Sequence, residues 1–126
     1  LNSLIIEKTY STPYVNFDPE SGRMMISGES FPENASRFYT PVLQWIEDYI
    51  NNVDGQKVEF NFEIKYFNSS TSKVFLNIFD LLEEAADEGK DITVNWRCNE
   101  ENESAIECGE EFKEDLDKLS FNIIII

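Results

Sequence analysis

Four hydroxyl residues stand together at Ser69, Ser70, Thr71 and Ser72, flanked by Asn68 and Lys73. A hydroxyl does chemistry in two main ways: as a nucleophile beside a base, or as the acceptor of a phosphoryl group. The chain contains no histidine, so the usual neutral-pH base for the first role is missing. For the second role, position decides. Free N–H groups and the positive end of the helix dipole favour an anion at a helix N-terminus. A phosphate on a serine there would sit in that field, and Lys73 would add a charge. The plainer use of Ser and Thr at such a place is an N-cap, worth about 1 kcal/mol. One hydroxyl suffices for a cap, and four exceed that need.

The flanking pattern supplies the helix and a strand before it. In "KVEFNFEIKYF" (57–67), Val58, Phe60, Phe62, Ile64 and Tyr66 share one face. Lys57, Glu59, Asn61, Glu63 and Lys65 share the other, so the strand is expected to be covered on one side only. A helix is expected from about Ser72 to Glu88, with Phe75, Ile78, Phe79, Leu82 and Ala86 as its core stripe and Gly89 as its stop. "DITVNWRC" follows as a strand with Ile92, Val94, Trp96 and Cys98 on one face. Strand, helix and strand with short links make a βαβ unit with parallel strands and a right-handed crossover. The hydroxyls then lie at the carboxyl end of a strand, where sites form in open α/β sheets.

Upstream, "SLIIE" reads as a short strand or extended arm, and residues 13–29 read as a β-hairpin around "DPESG". Val42, Trp45, Ile46, Tyr49 and Ile50 form an amphipathic stripe. That helix either starts at a Thr40 cap with Pro41 in its first turn, or runs kinked from about Glu33. Downstream, the acidic loop "NEENES" leads to a helix bearing Ala105, Cys108, Phe112 and Leu116, and "LSFNIIII" closes as an edge strand or docked tail. The expected fold is a single α/β domain over residues 1–126. It is a mixed sheet of about four or five strands, with helices mainly on one face.

Composition narrows the partners. The 126 residues include 25 acidic and 10 basic side chains, a formal charge of -15. Such a chain is repelled by phosphate backbones and anionic lipid. No nucleic-acid or membrane partner is expected; a protein partner is. There is no apolar run near the roughly 20 residues that span a bilayer, and no signal-peptide pattern, so a cytoplasmic location is expected. Cys98 and Cys108, the only cysteines, fall on expected core faces and read as free thiols. With no His, no C-x-x-C and no EF-hand loop, neither a metal nor a cofactor is expected. Gly-rich phosphate loops and nucleophile elbows are also missing, which argues against an enzyme. Leu76 is the odd residue of its helix, an apolar side chain among Asp80, Glu83 and Asp87. It is either an ordinary surface leucine or a partner contact near the hydroxyls.

Three segments carry a family resemblance: "STPYVNFDPESGRMMISGESFPENA", "YFNSSTSKVFLNIFDLLEEA" and "VNWRCNEENESAIECGEEFKEDL". In order and over nearly the whole chain, they resemble the SiaC-like biofilm-regulation phosphoproteins. That family is similar in type to the STAS anti-sigma-factor antagonists, small α/β domains that switch partners when a hydroxyl is phosphorylated. The resemblance implies a non-enzymatic signalling adaptor with a dedicated kinase and phosphatase. It also implies a target bound only in the unphosphorylated form, which in characterised relatives is a diguanylate cyclase of cyclic-di-GMP signalling. The family's acceptor follows the Asn of a strand-end "N-[ST]-S" turn, which matches Asn68 to that Asn and Ser69 to the acceptor. The family pattern has Thr where this chain has Ser69, so Ser70 and Thr71 stand as alternatives, with Asn68, Ser72 and Lys73 as support. With the excess of hydroxyls, that match implies that Ser69 faces solvent while Ser70, Thr71 or Ser72 caps the helix. Two other readings remain at this level. One is a STAS-like module that binds a small anion or a constitutive partner without phosphorylation. The other is an acid-catalysed hydrolase built on some pair of the many carboxylates.

Overall fold

Alternating side chains give the sheet one apolar face and one polar face, and all the helices cover the apolar one. The computed structural model describes residues 1–126. Its strands are β1 (Leu4–Ile6), β2 (Tyr14–Asp18), β3 (Arg23–Ser30), β4 (Val58–Phe67), β5 (Ile92–Cys98) and β6 (Ser120–Ile125). They lie side by side in chain order. β1, β2 and β3 pair antiparallel, and β3 to β6 pair parallel. Helices α1 (Ala35–Asn52), α2 (Ser69–Asp87) and α3 (Glu103–Glu114) make the three crossovers between parallel strands.

The sheet has six strands where four or five were expected. The two additions are the ends of the chain: Ile5 pairs with Asn16, and Ser120 pairs with Thr93. Both are short apolar runs, and periodicity alone does not separate such a run from a docked arm. α1 resolves the alternatives around Pro41. It is one helix capped by Asn34, whose side chain accepts from the Arg37 N–H, and Pro41 lies inside it. Pro41 is exposed, so its ring meets solvent rather than the sheet. At the other end, Lys90 Nζ donates to the carbonyl oxygens of Ile50 and Val53, which satisfies last-turn groups that helix geometry leaves open.

β4 departs from strict alternation. Gly28 pairs with Ile64, but the next pair is Glu29 with Tyr66, so β4 carries one extra residue. Such a bulge reverses the phase of the side chains beyond it. Tyr66, expected on the core face, is 56% exposed. Phe67 points inward instead and packs on Phe75, Trp96 and Phe112.

The core centres on Trp96, which is 1% exposed. The rings of Phe62, Phe67, Phe75, Phe79 and Phe112 surround it, the nearest centroid at 5.3 Å. Its indole N–H donates to the Ala105 carbonyl at 2.9 Å and so ties β5 to α3. In α2, Phe75, Ile78, Phe79 and Leu82 are buried as expected, while Ala85 takes the deep position and Ala86 is half-buried. Cys98 is buried, Cys108 is half-buried, and both are free. Burial pushes both thiols up from their ordinary range, so neither is a ready nucleophile.

The uncovered face is polar but well paired. Asn61, Asn95 and Asn122 lie in register across β4, β5 and β6. Asn95 donates to the Asn61 side-chain oxygen at 3.1 Å, and Asn122 donates to that of Asn95 at 3.2 Å. Arg97 and Glu63 pair beside this amide ladder at 3.0 Å.

Close packing of α3 on the core depends on Gly109. A Cβ there would lie 2.4 Å from Trp96 Cδ1. Gly109→Ala gains helix propensity of about 1 kcal/mol but overpacks a site with no room, at a cost of about 1–3 kcal/mol. The expected outcome is a folded protein with a lower urea midpoint and altered Trp96 fluorescence. An unchanged midpoint would mean that α3 can shift off the indole.

Candidate functional site

α2 begins immediately after β4, three residues earlier than its apolar stripe indicated. Asn68 has extended backbone, and its side chain accepts from the Thr71 N–H at 2.9 Å. The Asn68 carbonyl takes the Ser72 N–H at 3.0 Å as the first helical bond. The cap is therefore Asn68, not one of Ser70, Thr71 or Ser72. Asparagine is among the strongest N-caps, and the end of β4 leaves no loop in which a later residue could serve. The Ser69 and Ser70 N–H groups open the helix without an intrahelical acceptor. α2 has no acidic residue of its own in this first turn, so nothing within the helix offsets the positive end of its dipole.

The four hydroxyls divide sharply. Ser69 and Ser70 are exposed, Ser72 is half-buried and Thr71 is buried. Thr71 Oγ1 donates to the Ser30 carbonyl at 3.1 Å and lies 2.8 Å from Ser30 Oγ. Ser30 Oγ is 2.7 Å from the Tyr39 hydroxyl. One proton arrangement satisfies all three groups: Tyr39 donates to Ser30 Oγ, Ser30 to Thr71 Oγ1, and Thr71 to the Ser30 carbonyl. The circuit joins β3, α1 and α2 beneath the exposed serines. A kinase does not reach Thr71 without opening it.

Successive residues of α2 turn by about 100°, so Ser70 lies on the flank toward α1 and Ser69 on the outward face. Ser70, with Lys73 and Asn77, lines a cleft against Glu33, Asn34, Ser36 and Thr40 at the start of α1. Ser69 has Lys73 at i+4 and Leu76 at i+7 on that outward face, and Ser72 and Glu83 lie toward the flank opposite Ser70. Leu76 is 43% exposed. Glu83 accepts the backbone N–H groups of Asp117, Lys118 and Leu119 at 2.8–3.1 Å. Burial opposes its charge, but these bonds outweigh it and hold the carboxyl below its ordinary range. Glu83 thereby fixes the turn that leads into β6.

Periodicity did not single out Ser30 or Tyr39. Neither stands out in an alternating pattern, and only the meeting of three elements reveals them. The fully buried Tyr39 has its pKa pushed up to about 12, chiefly by desolvation. A phenol raised from an ordinary value near 10 contributes stability that is complete below pH 10. That contribution is lost as pH rises from 10 to 12, because the unfolded chain ionises first. A urea titration series should show a loss of order 2 kcal/mol across that window, and Tyr39→Phe should flatten it. Thr71→Val should cost about 1–3 kcal/mol by leaving Ser30 without its acceptor.

Comparison with known proteins agrees with this architecture. The model of the SiaC family regulatory phosphoproteins matches residues 6–126. A Pseudomonas aeruginosa (strain UCBPP-PA14) protein of uncharacterised function is 36% identical over 116 residues, covering 91% of this chain and 90% of that protein. The solved structure of SiaC of Pseudomonas aeruginosa superposes with a TM-score of 0.89 at 33% identity, over 100% of both chains. A chain in the crystal structure of the diguanylate cyclase SiaD with its activator SiaC, from the same organism, gives a TM-score of 0.92 at 33% identity. That match covers 98% of this chain and 99% of that one. No helix of the present chain is long and apolar enough to cross a membrane. By its sequence over nearly all its length, and by its fold, the chain belongs to the SiaC family of regulatory phosphoproteins.

Proposed function

We propose that this chain is a non-enzymatic signalling adaptor whose hold on a target protein is switched by phosphorylation of Ser69. The observation that carries the reading is the division of the hydroxyl cluster. Ser69 is exposed in the first turn of α2, while Asn68 and the Thr71 circuit secure that turn from below. A phosphate there adds about −1.5 to −2 charges and three strong acceptors. The free N–H groups in the first turn of α2 accommodate that charge, so the fold stays as it is. At a partner's surface the same group must be desolvated, and it repels any carboxylate facing it. The switch then works by blocking contact rather than by refolding the adaptor.

The target, by analogy with the SiaD–SiaC complex, is a diguanylate cyclase bound in the unphosphorylated state. A cognate kinase and phosphatase set the balance. They and the target act on this chain as a cytoplasmic protein of one domain spanning residues 1–126. Ser70 is the alternative acceptor, since it is equally exposed and shares its cleft with Lys73. Thr71 is disfavoured by its burial.

Phosphosite mapping after reaction with the cognate kinase tests the assignment, followed by capture of the cyclase with each form. Ser69→Ala is expected to stay folded, to resist the kinase and to retain the cyclase. Ser69→Asp is expected to bind more weakly, and only partly mimics a phosphate because it carries less charge. Equal capture by the phosphorylated and unphosphorylated proteins would reject the switch. Phosphate found on Ser70 alone would move it to the flank of α2 that faces α1. Intact mass of the protein from its own cells separates this reading from a constitutive anion-binding module, which would carry no phosphate.

A further inference from the structure

Three aromatic rings form a row on the surface at the C-terminal rim of the sheet. Tyr10 meets Phe31 edge-on with centroids 5.4 Å apart, and Phe31 meets Tyr66 at 5.9 Å. Tyr10 is 86% exposed and Tyr66 is 56% exposed. Scattered surface aromatics need no explanation, but a contiguous row of them marks a contact surface. The fold builds this one with a specific device. Without the bulge in β4, Tyr66 would continue the buried face of Ile64; with it, Tyr66 turns outward and joins Phe31. Bulges of this kind re-aim a side chain next to a functional site.

The row is continuous with the hydroxyl turn. The Phe31 N–H donates to the Ser11 carbonyl at 2.8 Å, which holds the Tyr10 loop against the end of β3. One residue earlier, the Ser30 carbonyl accepts the Asn68 N–H at 3.0 Å. Tyr66 itself is two residues from Asn68. The rim therefore sets apolar rings beside the first turn of α2, which has free N–H groups and no acidic residue of its own, while Glu33 lines the adjoining cleft.

We infer that the Tyr10–Phe31–Tyr66 ledge anchors the target protein, through a segment that seats apolar side chains on the rings and a carboxylate at the N-terminus of α2. This rests on the adaptor reading above and names the surface that would carry it. Tyrosine supplies large contact area at low entropic cost and is enriched among interface hot spots. A carboxylate suits the free N–H groups of the helix end, and a phosphate on Ser69 would repel it. A second copy of this chain is a poorer occupant, because a formal charge of -15 on each copy opposes association.

Titration of the unphosphorylated protein against the purified diguanylate cyclase from the same cells tests the ledge. Tyr10→Ala combined with Tyr66→Ala should lower affinity at least tenfold. Both side chains are exposed, so the urea midpoint and phosphorylation by the cognate kinase should stay as in the wild type. Tyr66→Phe should restore most of the binding. Undiminished binding by the double alanine variant would overturn the ledge, and would leave the Ser69 switch intact if phosphorylation still releases the cyclase. A photo-crosslinking amino acid at position 66 identifies the occupant. Capture of a cyclase segment with apolar residues and an Asp or Glu supports the inference. Capture of a segment with basic residues only, or of a second copy of this chain, rejects it.

Discussion

The meeting of Ser30, Tyr39 and Thr71 is the constraint on which the functional end of the molecule depends. Three hydroxyls from β3, α1 and α2 close a circuit buried from the surface, and each satisfies another. A buried polar group left unpaired costs far more than a paired one contributes. The circuit therefore tolerates little displacement of any of the three elements. Above it, Asn68 caps α2 and simultaneously donates its N–H to Ser30. The exposed serines stand on a support that is already fully bonded. Chemistry at Ser69 can change the surface charge while the backbone beneath has no reason to move.

The same junction explains why one threonine in a row of hydroxyls is set apart. Sequence reading takes Ser69 to Ser72 as a group, because their side chains offer similar donors and acceptors. Helical geometry then turns each by about 100° from the last. Thr71 points into the core, Ser70 and Ser72 point to opposite flanks, and Ser69 points outward. Thr71 is the one whose methyl group and hydroxyl both find use inside. The chemistry of the site thus comes from orientation rather than from residue type.

Much of the fold was legible before any coordinates. Strict alternation in residues 57–64 and the stripe from Phe75 to Leu82 specify β4, α2 and their packing, because period 2 and period 3.6 are unambiguous over such lengths. The position of the hydroxyl cluster at a strand end followed from the βαβ rule. Three features were not legible, and each for a physical reason. The apolar stripe of α2 begins later than the helix does, so it points to a cap after Asn68 rather than to Asn68 itself. A bulge leaves no mark in an alternating pattern, so alternation alone puts Tyr66 on the core face. Ser30 and Tyr39 have no local signature, because their junction joins residues distant in the chain.

The two tryptophans divide the molecule between them. Trp96 sits at the centre of the aromatic core, bonded to α3. Trp45 lies under the opposite end of the sheet, and its indole N–H donates to the Asn2 carbonyl at 2.8 Å. That bond closes the N-terminal arm over α1, just ahead of the three-residue strand β1. The other end of the sheet is held together by the amide ladder across β4, β5 and β6. The three-residue edge strand β1 is therefore the readiest part to open, while the core around Trp96 opens only with the whole fold. Each indole is an intrinsic fluorophore in one of these two regions. Emission from Trp45 follows detachment of the arm, and emission from Trp96 follows global unfolding, so a single-tryptophan pair would separate fraying from collapse without any added label.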